Sequence, residues 1–154
     1  MPLLSIITVV YNGAAHLEAT IQSVLRQTVT DYEYLIIDGG SHDGTPDIIR
    51  RYESRVAHWV SEPDQGIYDA MNKGLQRAQG KWVYFLNCGD LLYDTTTLQT
   101  LLSTLQQMSD PAVLVGKVEM FDETGHAKVF APLTFDTQTL ARKGTAVACH
   151  QAMF

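Results

Sequence analysis

The feature of this sequence that most constrains its fold is an almost continuously apolar, β-branched run at residues 3–10. Such a run is typical of a strand buried on both faces, as parallel strands of α/β sheets are. Asn12-Gly13 interrupts the run, and apolar residues then recur at helical spacing at Leu17, Ile21 and Val24. The sequence therefore predicts a fully buried strand followed by an amphipathic helix.

The same alternation of strand and helix continues along the chain. Further strands are predicted at residues 34–37, 56–60 and 81–86, and further helices at 45–52, 67–78 and 98–108. Because short connections between such units favour parallel pairing, the pattern predicts an α/β fold with a doubly wound parallel sheet. After residue 110 the alternation weakens. There we expect strands at 113–121 and 128–131, a short helix at 137–142 and an apolar run at 146–154.

Composition and charge narrow the class of protein. The chain has 154 residues, enough for one domain, with 45% hydrophobic and 18% charged residues as in ordinary globular proteins. Its formal net charge of −6 argues against a nucleic-acid binder with a broad basic surface. Cys88 and Cys149 form no Cys-x-x-Cys motif, which favours a reduced, cytoplasmic setting. We identify no signal-peptide pattern and no apolar run of transmembrane length.

Polar and acidic residues follow each of the first four predicted strands. They are Tyr11 and Asn12, then Asp38 and Asp43, then Glu62, Asp64 and Gly66, and finally Asn87 and Asp90. Each group alone is also explained by turn chemistry. Together they predict one cleft, because ligands of doubly wound sheets bind outside the carboxyl ends of the strands. A carboxylate-rich cleft of this kind suits a magnesium-type cation that bridges to a phosphorylated ligand.

Several common site motifs are absent from the sequence. The five histidines are scattered without His-x-x-x-His spacing, which argues against a histidine metal site. Neither a P-loop nor a Gly-x-Gly-x-x-Gly motif follows the first strand, and a Gly-x-Ser-x-Gly elbow is absent. The pair His150-Gln151 stands out as polar residues within a late apolar run.

The ordered motifs resemble those of the family 2 glycosyltransferases. The segments that carry the resemblance are residues 5–12, 36–45, 61–74, 85–90 and 149–154, among them Ile-Ile-Asp-Gly-Gly-Ser-His-Asp-Gly-Thr and Ser-Glu-Pro-Asp-Gln-Gly-Ile-Tyr-Asp-Ala-Met-Asn-Lys-Gly. The second of these is similar to a branch that builds bacterial surface polysaccharides, the colanic-acid-type glycosyltransferases. The resemblance spans nearly the whole chain and implies a GT-A fold, Rossmann-like and mostly parallel, with helices on both faces.

The resemblance also implies a function and a set of site residues. A UDP- or GDP-linked sugar donor would transfer its sugar with inversion to a polysaccharide or lipid-linked acceptor, with Mg²⁺ or Mn²⁺ as cofactor. Asp38 would bind the base and Asp90 the metal. Thr8, Tyr11 and Asn12 would line the nucleoside pocket, and Asp64 and Asn72 would help shape the diphosphate and ribose region. The other residues implied for nucleotide-sugar binding are Gly66, Lys73 and Asn87. His150 and Gln151 would lie on the acceptor side.

The chain departs from the pattern of many relatives at four positions. Asn87 and Gly89 stand where acidic residues are frequent, so metal binding would depend mainly on Asp90. Met71 replaces a frequent arginine, and Gly39 replaces a frequent second aspartate.

The resemblance predicts that residues 1–110 bind the nucleotide sugar and that 111–154 begin an acceptor-side portion. It also places the general base in an acidic motif beyond Phe154, so the chain is expected to be an inactive, C-terminally truncated piece. In the full-length protein, contact with the inner face of the cell membrane is possible. A non-catalytic nucleotide-sugar-binding module or partner subunit is the alternative. A nucleotidyltransferase would need a glycine-rich basic loop after the first strand, which Tyr11-Asn12-Gly13 does not supply.

Overall fold

A computed structural model describes residues 1–107, 114–115, 118–121, 124–125, 127–130 and 152–153. Strands and helices alternate between Leu4 and Gln107 as expected. The elements are β1 (Leu4–Val10), α1 (Leu17–Leu25), β2 (Tyr32–Asp38), α2 (Thr45–Tyr52), β3 (His58–Ser61), α3 (Ile67–Arg77), β4 (Trp82–Phe85) and α4 (Thr97–Gln107). A short 3₁₀ helix, Glu53–Arg55, links α2 to β3.

Four short strands follow α4 among the described residues: β5 (Leu114–Val115), β6 (Val118–Phe121), β7 (Ala127–Phe130) and β8 (Ala152–Met153). The single strand expected at residues 113–121 is wrong, because β5 joins the main sheet whereas β6 pairs with β7 in a separate antiparallel ribbon. Gly116 falls between the two strands, and a glycine inside a strand pattern weakens it. The helix expected at 137–142 lies outside the described residues.

The main sheet has the strand order β3-β2-β1-β4-β8-β5. The pairs β1–β2, β1–β4 and β2–β3 are parallel, whereas β8 runs antiparallel to both β4 and β5. The mostly parallel sheet predicted from the sequence is therefore confirmed. Because β1 to β4 are parallel, the loops that follow them leave the same edge of the sheet.

Helices cover both faces of this sheet, as predicted. All seven residues of β1 are buried, and its apolar side chains divide between two clusters on opposite faces of the sheet. Leu4 and Ile6 pack with residues of α1, α2 and α4, whereas Ile7 and Val9 pack with Ala70 of α3. A strand with apolar side chains on both faces is stable only when both faces are covered. This explains why the first run of the sequence is continuously apolar.

Candidate functional site

A cavity of about 550 Å³ opens at the carboxyl ends of β1, β2 and β3. Buried Val9 and Ala70 lie at its base, and Tyr11 on its rim is 63% exposed. The remaining described lining residues are Val10, Gly39, Gly40, His42, Pro63, Asp64, Gly66 and Ile67. We call this space the first cavity. Tyr11 from the loop after β1 is thus brought together with Asp64 and Gly66 from the loop after β3.

The loops after β1 and β2 are joined by hydrogen bonds through Asn12. Its backbone N–H donates to Ser41 Oγ at 2.7 Å, and its Oδ1 accepts the His42 N–H at 3.0 Å. Asn12 has a φ of 51°, a left-handed conformation that asparagine tolerates better than most residues. The predicted site residue Asn12 therefore holds together two walls of the first cavity.

Asp43 makes a second connection between the same loops. Its Oδ2 accepts the Ala14 N–H at 2.9 Å, and its Oδ1 accepts the Thr45 hydroxyl at 2.6 Å. Thr45 in turn accepts the Gly13 N–H at 3.0 Å. These hydrogen bonds lower the pKa of the Asp43 carboxyl, and the one from the Thr45 hydroxyl has the largest effect. The Asp-Gly-Thr sequence signals a turn, but the partner loop is not readable from sequence.

Asp38 lies at the end of β2 and is completely buried. Its Oδ2 accepts the Ser41 N–H at 3.1 Å and the Ser61 hydroxyl at 2.5 Å, and its Oδ1 accepts the Ser41 hydroxyl. A buried carboxylate is tolerated where hydrogen bonds satisfy it in this way. Asp38 therefore organises the loops around the first cavity, and it is not among the residues described as lining that cavity.

Asp64 lies in the loop before α3, and its partly exposed side chain lines the first cavity. Its Oδ1 accepts the Gly66 N–H at 2.8 Å, while Gly66 adopts a φ of 110° just before the helix begins. The Asp64 carboxylate lies directly against Gly39: a Cβ atom added there would overlap Oδ2 and lie 3.0 Å from Cγ. The absence of a side chain at position 39 therefore makes room for Asp64.

Two of the predicted binding residues lie on α3 outside both described cavities. Asn72 is exposed. Lys73 Nζ lies 3.0 Å from Glu62 Oε1 and donates to the Pro63 carbonyl at 2.9 Å. The hydrogen bond to Glu62 raises the pKa of Lys73. Lys73 therefore anchors the loop between β3 and α3.

Thr8 is a further predicted residue that the structure places in the core. It is completely buried, and its hydroxyl donates to the Leu86 carbonyl at 2.7 Å. The Tyr34 hydroxyl lies 2.9 Å from the hydroxyl oxygen of Thr8. Because the single Thr8 proton is used for Leu86, Tyr34 must be the donor in that contact.

Asp90 lines a different space, the second cavity, of about 530 Å³. Its described lining also contains the carboxylate of Glu119 and four large, exposed apolar side chains. These are Leu91, Tyr93, Met120 and Phe121. The single cleft expected from the sequence is thus divided: the described lining residues of the two cavities do not overlap. The position of Glu119 in this lining is not readable from the sequence, because Glu119 lies on β6, far from the four loops along the chain.

The loop after β4 nevertheless contacts the loop after β1. The Cys88 N–H donates to the Val9 carbonyl at 3.2 Å, and Cys88 Sγ lies 3.6 Å from the Gly13 carbonyl oxygen. Burial, with Asp43 and Asp90 nearby, raises the pKa of the Cys88 thiol to about 11. In the same loop Asn87 is 8% exposed. The two cavities are therefore separated by packed loop residues.

No group of three or more His, Cys, Asp or Glu residues in the described part of the chain is arranged to hold a metal ion. The acceptor-side residues His150 and Gln151 lie outside the described residues. Where the structure describes the chain, none of its helices is both long and apolar enough to span a membrane.

Comparison with known proteins shows the family of this chain. The family model described as Glycosyl transferase family 2 matches residues 5–154. The chain belongs to this family. It is 36% identical over 159 residues to a PGL/p-HBAD biosynthesis glycosyltransferase of Mycobacterium tuberculosis, covering 99% of this chain and 59% of the relative. It is 42% identical over 92 residues to the putative teichuronic acid biosynthesis glycosyltransferase TuaG of Bacillus subtilis, covering 58% of this chain and 36% of TuaG.

Solved glycosyltransferase structures share the fold. The mannosyltransferase PcManGT from Pyrobaculum calidifontis, in complex with GDP-Man and Mn²⁺, superposes with a TM-score of 0.62 at 28% identity, covering 75% of this chain and 34% of PcManGT. S. aureus TarS 1-349 in complex with UDP-GlcNAc gives 0.63 at 21% identity, covering 70% of this chain and 32% of TarS. The α/β, Rossmann-like GT-A fold and the family expected from the resemblance are confirmed. The chain spans 59% of the length of the mycobacterial relative.

Proposed function

We propose that this family 2 glycosyltransferase chain binds a UDP- or GDP-linked sugar with the nucleoside end in the first cavity. The observation that carries the proposal is the cavity itself, built by the loops after three adjacent parallel strands. Its volume falls within the range of small-molecule sites. Its described lining contains neither lysine nor arginine, which suits the uncharged nucleoside better than the diphosphate.

The hydrogen bonds around the first cavity support a preformed site. The hydrogen bond between Asn12 and Ser41 connects the loops after β1 and β2. Ser41 and Ser61 both donate to the Asp38 carboxylate, which connects β3 to these loops. Fixed loops reduce the entropy cost of ordering a site when a ligand binds. Tyr11 and Ile67, which are both exposed at the opening, offer apolar contact to a planar base.

A divalent cation would be held by Asp90. Magnesium-type ions are commonly held by one or two carboxylates together with substrate phosphates, so a partly exposed Asp90 fits a cation that arrives with the donor. Glu119 in the same cavity is the further carboxylate available there. When bound, such an ion would offset the negative charge that grows on the leaving nucleoside diphosphate. The complex of PcManGT with GDP-Man and Mn²⁺ supports the use of a divalent cation.

Transfer with inversion to a glycan or lipid-linked acceptor completes the proposal. The contact between Cys88 and Gly13 places the second cavity next to the loop that borders the first. The sugar and acceptor would lie on that side, towards Asp90. Asn72, Lys73 and Asn87 stay predicted donor-binding residues. A cytoplasmic location, at the inner face of the membrane, belongs to the same proposal.

Calorimetric titration tests donor binding. UDP-GlcNAc and GDP-mannose are titrated into the chain with and without Mn²⁺, and the same titrations are made with Asp90→Ala. We expect at least one donor to bind, with Mn²⁺ tightening binding in the unsubstituted chain only. Asp47→Asn, which changes an exposed carboxylate on α2, is the matched control.

Two results would contradict the proposal in different ways. If neither donor binds at millimolar concentration, the nucleotide-sugar assignment of the first cavity is wrong. If Asp90→Ala binds donor with the same Mn²⁺ dependence as the unsubstituted chain, the cation site lies elsewhere.

A further inference from the structure

The first cavity needs a polar group that can recognise a base, and Asp38 is poorly placed to be that group. Its side chain has no exposed surface. Both of its oxygens accept hydrogen bonds from Ser41, and one also accepts from Ser61. For Asp38 to reach a ligand, these loop contacts would have to break. A carboxylate that lines the first cavity is therefore better placed than Asp38 to contact a base.

That carboxylate belongs to Asp64. Its Oδ1 is fixed by the Gly66 N–H at 2.8 Å, which orients the whole group. Its Oδ2 reaches across to the loop after β2 and fills the space where a side chain at Gly39 would begin. Gly39 has no positive φ, so its lack of a side chain matters here through space and not through backbone conformation. The Asp64 carboxylate thus lies between two walls of the first cavity.

Among the described lining residues of the first cavity, Asp64 is the one that carries a carboxylate. Val9, Ile67 and Ala70 supply apolar surface, and His42 and Tyr11 are the other residues with titratable side chains. A planar heterocycle against such apolar walls would present its edge to the polar groups. An ionised carboxylate only accepts hydrogen bonds, so it pairs with a ring N–H and repels a ring nitrogen lone pair.

We propose that Asp64 selects the base of the donor nucleotide by accepting the N3–H of uracil or the N1–H of guanine. Adenine and cytosine carry an unprotonated ring nitrogen at the corresponding position, and would leave the carboxylate facing an acceptor. The inference rests on the proposed binding of a nucleotide sugar in the first cavity. It adds the rule by which UDP- or GDP-linked donors are preferred over ADP- or CDP-linked ones.

The first test measures base selectivity. UDP, GDP, ADP and CDP are titrated into the unsubstituted chain, Asp64→Ala and Asp64→Asn. We expect UDP or GDP to bind at least about 10-fold more tightly than ADP and CDP, as the loss of one charge-assisted hydrogen bond implies. Asp64→Ala should abolish this difference. Asp64→Asn should raise the relative affinity for CDP, because its amide can donate to the cytosine ring nitrogen.

The second test uses Gly39, whose role is only to leave room. In Gly39→Ala the new methyl group should push the Asp64 carboxylate aside and reduce selectivity to the level of Asp64→Ala. In an Asp64→Ala background the same substitution should change selectivity no further, because contacting residues are non-additive. Circular dichroism checks that each variant is folded, and Asp47→Asn controls for the loss of a negative charge.

The outcomes separate this inference from the proposed function. N3-methyl-UDP, which lacks the N–H, should bind the unsubstituted chain as weakly as CDP and should bind Asp64→Ala as well as UDP does. An equal loss of affinity for all four nucleotides in Asp64→Ala, with selectivity kept, would overturn the inference and leave donor binding intact. Failure of the unsubstituted chain to bind any nucleotide would overturn both.

Discussion

Substitution of Thr8 by valine distinguishes a ligand-binding residue from a core residue. The Thr8 hydroxyl lies between the Leu86 carbonyl, at 2.7 Å, and the Tyr34 hydroxyl, at 2.9 Å. Valine keeps the shape but removes both hydrogen bonds, which leaves two buried polar groups without their partner. Burial raises the pKa of Tyr34, so its hydroxyl stays a proton donor that needs an acceptor.

The expected cost follows from these two contacts. Leaving a buried donor or acceptor unsatisfied costs about 1–3 kcal/mol, so Thr8→Val, which leaves two such groups, should lower the free energy of unfolding by about 2–6 kcal/mol. Tyr34→Phe removes only the second contact and should cost about 1 kcal/mol. The double variant should lose less stability than the sum of the losses in the two single variants, because both substitutions remove the same Thr8–Tyr34 hydrogen bond.

Urea unfolding followed by circular dichroism measures these free energies, and titration with UDP and GDP measures affinity. We expect Thr8→Val to be less stable but, where it is folded, to bind nucleotide as the unsubstituted chain does. Unchanged stability together with lost nucleotide binding would refute the structural assignment of Thr8. It would support the nucleoside contact that the family resemblance implies.

Three further predictions concern the loops around the two cavities. The lowered pKa of Asp43 means that its contribution to stability is present above about pH 4, the unfolded value, and is lost as the pH falls through the folded value. Urea unfolding is measured between about pH 3 and about pH 7, which spans the ordinary pKa of an aspartate. The acid-induced loss of unfolding free energy should be smaller for Asp43→Asn than for Asp47→Asn, and equal losses would contradict the Asp43 contacts. Lys73→Met should leave the free energy of unfolding nearly unchanged, because its ion pair with Glu62 is partly exposed, yet it should speed amide hydrogen exchange in the loop before α3. Unchanged exchange would show that Lys73 does not anchor that loop. With a pKa of about 11, Cys88 in a Cys149→Ser background should react with iodoacetamide at pH 8 at least about 100-fold more slowly than a free thiol, and fast alkylation would contradict its burial.

The strand–helix order and the position of the first cavity could be predicted from the sequence because both depend on local patterns. The apolar run at residues 3–10 indicates burial on both faces, and the structure has both faces of β1 covered. The rule that ligands bind beyond the carboxyl ends of parallel strands then indicates at which edge of the sheet to expect a cavity. The first cavity lies there.

The sequence does not reveal which polar residues line a cavity and which form hydrogen bonds inside the protein, because this depends on contacts between distant parts of the chain. Thr8 bonds to a carbonyl 78 residues away, and Asp38 to a serine 23 residues away. A sequence shows which residues are polar but not which of them use their hydrogen bonds inside the protein. Asp64 and Gly39 show the same limit, since only their proximity explains why position 39 has no side chain.

The most direct test of the central claim is a methyl NMR titration of the folded chain with UDP and with GDP. We expect one or both nucleotides to shift the methyl signals of Val9, Ile67 and Ala70 in the first cavity, with smaller changes at Leu92 and Met120 in the second. Shifts confined to the second cavity, or no shifts at millimolar nucleotide, would contradict the claim that the first cavity binds the nucleoside.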